Sequence, residues 1–262
     1  MSTPDGVISW VMPAECRRVL ILGGTGEARL LASLAVKTLP RNVEIISSFA
    51  GRTKRPQDPP GIVREGGFGG ADGLTKYLRE AAIDIVIDAT HPFAATISAH
   101  AALATAATGR PRLMLRRPDW VLPEDAQTTF VNDMTAAARQ LAAQGGRAFL
   151  STGTQQITSF SGIPNVWFLV RLISKPKEPL PLDDYAIITD RPPFSAPKEA
   201  ALLQKNRIDV LISKHSGGPL PAKISAAVRQ DIPLILIRQP SKPHGVHVET
   251  IDEAITWIQG RL

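Results

Sequence analysis

The sequence predicts an α/β protein in which helices flank parallel β-sheets. Short apolar runs rich in Val, Ile and Leu recur along the 262 residues, and Ala- and Leu-rich stretches with helical spacing separate them. Glycine-rich or hydroxyl-rich turns follow several of these runs, as they do where a parallel strand leads into a helix. The length of the chain permits two small domains but does not require them.

The first half of the chain contains the elements of one lobe. A strand is predicted over 18–22, followed by a glycine turn and a helix over 27–37. Asp72 is the expected N-cap of a later helix, and Pro92 suits the first turn of another. The remaining elements are strands over 43–48, 62–64, 84–88 and 113–116 and helices over 72–81 and from Pro92 onward.

The second half repeats features of the first. The run IDIVI at 83–87 has a near copy, IDVLI, at 208–212, and a histidine follows each run within four residues. Short apolar strands resemble one another by chance, but several further matches occur in the same order and favour two related lobes. Glycines at 145 and 146 suggest the boundary. We therefore expect an N-terminal lobe over 17–145 and a C-terminal lobe over 146–262, which ends in an amphipathic helix over 250–262.

Composition excludes several classes of protein. No stretch approaches the roughly 20 unbroken apolar residues of a membrane helix, and residues 1–16 contain no basic residue, unlike a targeting segment, so we expect a cytoplasmic protein with no membrane partner. Cys16 is the single cysteine, so neither a disulfide nor a thiolate metal site is expected. The net charge of +6 favours an acidic ligand. Few aromatic residues and short basic runs argue against nucleic acid, which leaves a small polyanion.

A glycine-rich turn follows the first predicted strand. Its backbone N–H groups, together with the N-terminus of the next helix, can hold a pyrophosphate. The spacing departs from G-x-G-x-x-G, so a tight turn without a ligand explains the pattern equally well. The predicted cofactor contacts in this turn are Gly23, Gly24, Thr25, Gly26 and Glu27.

The segment after the second strand favours NADPH over NADH. An NAD-binding protein usually presents Asp or Glu to the ribose hydroxyls at this place, whereas this chain reads SSFAGR over 47–52. The Arg52 guanidinium can form a bidentate contact with a 2′-phosphate, and serine hydroxyls can add donors. A solvated basic loop is the alternative. The predicted contacts here are Ser48, Gly51 and Arg52.

Further candidates follow the third and fourth strands. Four glycines surround Phe68 and permit a ligand to approach the backbone closely, although loop flexibility explains them too. Thr90 and His91 follow the strand over 84–88, at the end where open α/β sheets place ligands. A lone histidine is more often structural. We predict that Gly67, Phe68, Gly69 and Thr90 contact the cofactor.

Strand ends in the second half carry cations beside hydroxyls and glycines, as an anion-binding surface would. Ordinary polar loops explain each segment singly, but together the segments suggest an acidic ligand in a cleft between the lobes. Common hydrolase and kinase motifs are missing from the sequence, whereas hydride transfer needs only a positioned cofactor and a proton donor. The predicted substrate contacts are His91, Thr152, Gly153, Thr154, Arg191, Lys214, His215 and Ser216, among which His91, Lys214 and His215 are the candidate catalytic residues.

An ordered set of motifs resembles the precorrin-6A reductases of cobalamin biosynthesis. The motifs are LGGTGEA at 22–28, GGFGG at 66–70, DATHPFA at 88–94, RPPF at 191–194 and SKHSGG at 213–218, and the resemblance spans residues 17 to about 260. It implies two Rossmann-like lobes and NADPH-dependent reduction of one macrocycle double bond, which converts precorrin-6A to precorrin-6B. The implied substrate is a polycarboxylate tetrapyrrole whose acetate and propionate groups pair with Arg and Lys.

The resemblance also allows transient contact with neighbouring pathway enzymes. Two other classes of function stay open from the residues alone. One is a different NADPH-dependent reductase of an acidic metabolite, and the other is a non-catalytic NADP(H) sensor. Substrate-dependent oxidation of NADPH separates an enzyme from a sensor.

Overall fold

The computed structural model describes residues 16–50, 58–154 and 156–262. In chain order the strands are β1 Arg17–Leu22, β2 Val43–Phe49, β3 Ile62–Glu65, β4 Ile85–Asp88, β5 Arg112–Leu115, β6 Thr128–Val131, β7 Gly146–Leu150, β8 Val166–Leu172, β9 Tyr185–Thr189, β10 Val210–Lys214, β11 Leu234–Ile237 and β12 Val246–Val248. The α-helices are α1 Gly26–Thr38, α2 Ala71–Glu80, α3 Ala95–Thr108, α4 Met134–Gln144, α5 Ala196–Lys205, α6 Ala222–Val228 and α7 Ile251–Gln259. A 3₁₀ helix covers Ile157–Phe160.

These elements form two compact units. The first unit runs to Arg116 and also includes Pro243–Leu262, and the second is Arg117–Lys242. Each unit has one six-stranded sheet, in the order β12-β5-β4-β1-β2-β3 in the first and β6-β11-β10-β7-β8-β9 in the second. Every strand pairing in both sheets is parallel. The predicted α/β class with parallel sheets and flanking helices is confirmed.

Helices cover both faces of the first sheet because successive side chains of a buried parallel strand point to opposite faces. In β1, Val19 and Ile21 pack with α1 and α7, whereas Leu20 and Leu22 pack with α2 and α3. All four side chains are almost fully buried. This packing fixes β1 at the centre of the unit, so the turn that follows β1 has a rigid base.

The core of the second unit is built in the same way. Phe149 of β7, Leu169 of β8 and Leu211 of β10 are buried with Leu203 of α5 and Ile224 of α6. Helix α4 contacts the 3₁₀ helix and β11. The ends of β7, β8 and β10 are therefore held in place by one continuous apolar cluster.

The two sheets have equivalent strand orders, which confirms the predicted internal repeat. Strands β1 to β5 of the first sheet correspond in position to β7 to β11 of the second. The edge strands are exchanged: the chain leaves the first unit after β5 to form β6, and it returns after β11 to form β12 and α7. Each unit thus takes its last strand from a segment that is distant in sequence from its other strands.

This exchange moves the boundaries of the compact units away from the expected 17–145 and 146–262. Residues 117–145 carry β6, which pairs with β11 of the second sheet, and α4. Residues 243–262 carry β12, which pairs with β5 of the first sheet, and α7. The sequence contains no local signal of a strand that changes sheet, because pairing partners are set by tertiary packing.

Two helix starts differ from those expected. Gly70, not Asp72, is the N-cap of α2, and Asp72 lies in its first turn. Helix α3 begins at Ala95, because Pro92 and Phe93 form a turn before the helix. The terminal helix begins as expected: Thr250 caps α7 in a capping box with Glu253. Among the helices of the described residues, none combines the length and apolar composition that a bilayer crossing requires.

Candidate functional site

The glycine turn after β1 lies at the point where the strand order of the first sheet reverses. Strands β2 and β4 flank β1, and in open sheets of this order ligands bind beyond the carboxyl ends of the strands at such a switch point. Thr25 connects the turn to α1 and to the end of β4. Its Oγ1 accepts a hydrogen bond from the Ala28 N–H at 3.1 Å and donates to the Ala89 carbonyl at 2.8 Å. Thr25 is thereby the N-cap of α1.

The glycines of this turn leave space in front of α1. Gly24 has a φ of +111°, and a Cβ at Gly24 or at Gly26 would have no other group within 4 Å. A Cβ at Gly23, in contrast, would lie 3.1 Å from the Phe49 ring. Backbone N–H groups at the start of α1 therefore face an open, uncrowded space that fits a diphosphate.

The end of β4 carries a buried carboxylate that orders the next residues. Asp88 is 4% exposed, and its Oδ1 accepts from the Thr90 hydroxyl at 2.6 Å and from the Thr90 N–H at 3.2 Å. His91 is exposed, and its Nδ1 accepts from the Phe93 N–H at 3.2 Å. The remaining ring nitrogen of a neutral His91 then carries the proton and can donate it or a hydrogen bond.

The ends of β2 and β3 carry two serines and an arginine. Ser47 and Ser48 are buried, and the Ser48 Oγ accepts from Arg64 Nη1 at 3.2 Å. Arg64 also donates to the carbonyls of Gly66 and Gly67. The structure thus brings Ser48 together with the predicted loop of Gly67, Phe68 and Gly69, whereas Gly51 and Arg52 lie outside the described residues.

In the second unit, a lysine from α6 reaches the end of β7. Lys223 Nζ donates to Ser151 Oγ at 2.7 Å. Burial, with the Arg171 charge as the next cause, lowers the pKa of Lys223 from 10.5 to about 8. The neighbouring Thr152 is 6% exposed, and its buried Oγ1 has no hydrogen-bond partner among the described residues. The ammonium and this hydroxyl lie beside the turn of Gly153 and Thr154.

Lys223 belongs to a buried cluster with more positive than negative charge. Arg171 of β8 forms a bidentate pair with Glu199, at 2.9 Å and 2.7 Å, and Glu199 is 2% exposed. The single carboxylate that raises the pKa of Lys223 is this Glu199, which Arg171 already neutralises. Within the described part of the chain, the protonated Lys223 therefore leaves one uncompensated charge at the carboxyl edge of the sheet.

The end of β10 presents one lysine and one packed histidine. Burial lowers the pKa of Lys214. His215 is 8% exposed, and its ring contacts Trp120 and Phe130 edge-on at centroid distances of 4.7 and 5.5 Å. Burial also lowers the pKa of His215, with Asp119 opposing and Arg238 adding to this effect. A neutral, enclosed His215 suits packing better than anion binding.

The remaining predicted contacts lie on exposed turns. Arg191 and Thr154 are exposed, whereas Ser216 is half-buried beside Gly217. A Cβ at Gly217 would meet the Pro118 carbonyl at 2.6 Å, so this glycine is needed for the loop to pack. Predicted residues that the structure brings to the carboxyl edge of the second sheet are Thr152, Gly153, Thr154, Arg191, Lys214, His215 and Ser216.

Sequence analysis missed three cations of these strand ends: Arg64, Arg171 and Lys223. Arg171 is the single charge within an apolar strand, which was the available signal, whereas Arg64 is followed by Glu65 at the end of a short strand. Lys223 lies in a helix, and helical lysines are usually exposed, so its burial had no sequence signal. Among the described residues, no group of three or more His, Cys, Asp or Glu side chains could hold a metal ion.

Comparison with known proteins identifies the family. Residues 18–259 match the family described as "Precorrin-6x reductase CbiJ/CobK". The chain is 43% identical to the precorrin-6A reductase of Rhodococcus erythropolis over 92% of this chain and 97% of the relative. It is 26% identical to the cobalt-precorrin-6A reductase of Priestia megaterium, over 90% and 96% respectively.

A solved structure titled "CobK precorrin-6A reductase" has the same fold. It superimposes with a TM-score of 0.87 at 37% identity, covering 94% of this chain and 97% of the solved one. The resemblance found in the motifs is thereby confirmed over nearly the whole length. The chain belongs to the precorrin-6x reductase family.

Proposed function

We propose that this protein uses NADPH to reduce one double bond of precorrin-6A to give precorrin-6B. Family membership supports the substrate, since relatives at 39% to 43% identity are named precorrin-6A reductases. The observation that carries the coenzyme assignment is the open glycine turn at the switch point between β1 and β4. We therefore assign dinucleotide binding to the first unit and substrate binding to the second.

In the first unit, the diphosphate is proposed to bind the backbone of Gly24, Thr25 and Gly26. The helix dipole of α1 and its N-terminal N–H groups favour negative charge there. The adenosine ribose then lies near Ser48, because the end of β2 receives the ribose in sheets of this order. When bound, NADPH supplies the hydride, and the protein positions it.

In the second unit, the cations and hydroxyls at the carboxyl edge are proposed to hold substrate carboxylates. The excess positive charge of Lys223, together with Lys214, favours a polyanion. The Thr152 hydroxyl, which has no hydrogen-bond partner within the described ranges, can donate to a carboxylate oxygen. A macrocycle with several acetate and propionate groups has the negative charge that would balance the positive charge of this surface.

Relatives also favour a substrate without cobalt. Those named precorrin-6A reductases are 39% to 43% identical to this chain, whereas those named cobalt-precorrin-6A reductases are 25% to 27% identical. We therefore propose that the metal-free macrocycle is the natural substrate. NADPH oxidation with precorrin-6A should exceed that with its cobalt-bearing counterpart.

Reduction of the double bond requires one proton in addition to the hydride. His91 is the first candidate among the predicted donors, because its Nδ1 accepts from the Phe93 N–H, which places the proton of a neutral ring on Nε2. Lys214 is the second candidate, since its lowered pKa eases proton release. The enclosed ring of His215 makes it a packing residue in this proposal.

The coenzyme assignment is tested by replacing Arg52 with Ala. We expect the Michaelis constant for NADPH to rise about tenfold or more while that for NADH changes little, because only NADPH carries the 2′-phosphate. Initial rates with each coenzyme at saturating precorrin-6A give both constants. Equal changes for NADPH and NADH would show that Arg52 does not read the phosphate.

Lys214→Met separates the two units functionally. The substitution should raise the Michaelis constant for precorrin-6A by about tenfold, the usual effect of removing one charged contact, and leave the dissociation constant of NADPH unchanged. Lys198→Met, an exposed lysine of α5, is the matched control. Weakened NADPH binding with normal substrate binding would place Lys214 at the coenzyme instead.

A further inference from the structure

The Arg64 guanidinium is fixed at the carboxyl ends of β2 and β3. Its Nη1 donates to Ser48 Oγ at 3.2 Å and to the Gly66 carbonyl at 2.7 Å, and its Nη2 donates to the Gly67 carbonyl at 3.0 Å. One face of the guanidinium stacks on the Phe68 ring, 3.7 Å from the ring centroid. Three hydrogen bonds and a stacked ring therefore hold this cation in a single orientation.

The glycine loop beside Arg64 is itself packed tightly. A Cβ at Gly73 of α2 would lie 1.7 Å from the Phe68 carbonyl, so only glycine allows α2 to approach the loop so closely. Phe68 also contacts Tyr77 of α2, at a centroid distance of 5.3 Å. The Phe68 ring thus forms a firm support for the guanidinium.

The charge of Arg64 is not neutralised by this environment. All three acceptors are uncharged, and the described residues contain no carboxylate in an ion pair with Arg64. Glu65 is the next residue of β3, and successive side chains of a strand point to opposite faces of the sheet. A partly buried cation without a counter-charge is a ready partner for an anionic ligand.

The unused donors of Arg64 have the geometry that a phosphate needs. A guanidinium has five N–H donors, and the three bonds above occupy both of Nη1 and one of Nη2. The donors without a partner among the described residues are Nε–H and one Nη2–H, on the two nitrogens that form one edge of the guanidinium. Such an edge binds two oxygens of one phosphate.

We propose that Arg64 is a specificity-determining residue that binds the 2′-phosphate of NADPH. The inference rests on the proposed function, which places the adenosine ribose at the end of β2, where Ser48 and Arg64 meet. The 2′-phosphate then accepts two hydrogen bonds, from Nε and Nη2 of Arg64. Phe68 supports one face of the guanidinium. Arg52 lies outside the described residues, and its role is tested separately by Arg52→Ala.

The test measures dissociation constants of NADPH and NADH for the whole protein by coenzyme fluorescence. Arg64→Gln should weaken NADPH binding about tenfold or more, which is about 1.4 kcal/mol, and change NADH binding less than about twofold. Arg64→Lys keeps the positive charge but cannot form a bidentate contact, so we expect a smaller loss of affinity that is again confined to NADPH. Adenosine 2′,5′-bisphosphate and 5′-AMP, used as competitors, report the phosphate contact without the nicotinamide.

Two controls make the result decisive. Arg79→Gln removes an exposed arginine of α2 that donates to the Ala107 carbonyl, and it should leave both dissociation constants unchanged. If Arg64 only holds the glycine loop in place, Arg64→Gln and Arg64→Lys will weaken NADPH and NADH equally, which overturns the proposal. If Arg64→Gln does not fold, the ratio of the NADPH and NADH dissociation constants of Arg64→Lys tests the proposal in the same way.

The outcomes also separate this inference from the proposed function. A wild-type protein that does not bind NADPH contradicts the proposed function itself. A wild-type protein that prefers NADPH, with the preference intact in Arg64→Gln and lost in Arg52→Ala, contradicts only the role of Arg64. Loss of the preference in Arg64→Gln supports the proposal, whether or not Arg52→Ala also loses it.

Discussion

Gly26→Trp should abolish NADPH binding while the protein remains folded. Gly26 is the first residue of α1, and a Cβ there has no other group within 4 Å, so the fold has room for a side chain. Its φ is outside the left-handed range, so the backbone tolerates other residues. The indole would instead occupy the space in front of the helix N-terminus, which the proposed diphosphate needs.

A graded series at Gly26 tests this prediction. Gly26→Ala adds one methyl group and should reduce affinity mildly, Gly26→Leu more strongly, and Gly26→Trp to a level that titration with NADPH does not detect. Circular dichroism and thermal unfolding verify that each variant is folded. If Gly26→Trp binds NADPH with the affinity of the wild type, the turn after β1 is not the coenzyme site.

Lys223→Met should stabilise the protein at neutral pH. The pKa of Lys223 is lowered to about 8 in the folded state from 10.5, so the folded state binds fewer protons than the unfolded state between these pH values. The penalty for burying the ammonium is therefore full below pH 8 and fades as pH rises toward 10.5. At 1.36 kcal/mol per pKa unit, the difference between 10.5 and about 8 corresponds to roughly 3.4 kcal/mol at pH 7. The lost hydrogen bond to Ser151 reduces the net gain to roughly 2–3 kcal/mol.

Urea denaturation at several pH values measures this effect. The difference in unfolding free energy between Lys223→Met and wild type should be largest at pH 7 and shrink above pH 8. Lys198→Met, which removes an exposed lysine, should show no such trend. A variant that is less stable than wild type at pH 7 would mean that the Ser151 contact outweighs the burial cost. We also expect weaker binding of precorrin-6A, because the excess charge would be gone.

The local elements of the fold were largely predictable from the sequence. Central strands such as β1 and β4 are unbroken apolar runs between turn residues, and their burial on both faces explains that pattern. The two exchanged edge strands were missed: β6 reads TTFV and β12 reads VHV, with polar residues in short segments. Their pairing depends on which sheet offers a partner, and that information is not local.

The candidate site divides in the same manner. Backbone features were readable, because the glycines of the β1 turn and Thr25 as N-cap follow from conformational preference and capping chemistry. Side-chain partnerships were not, since Lys223 and Ser151 are separated by 72 positions. The same holds for the environment of His215: its aromatic neighbour Trp120 precedes β6 and is therefore distant in sequence from β10. Such contacts arise only once the strands are assembled.

The exchange of edge strands has a consequence for protein synthesis. Helix α7 contributes Ala254, Ile255 and Ile258 to the apolar cluster around β1, and β12 completes the same sheet. A nascent chain therefore carries the first half of the molecule with an open sheet edge beside β5 while all of the second unit is being translated. That edge can close only when β12 has left the ribosome, so the unfinished sheet is exposed to chaperones and to aggregation while all residues between β5 and β12 are translated.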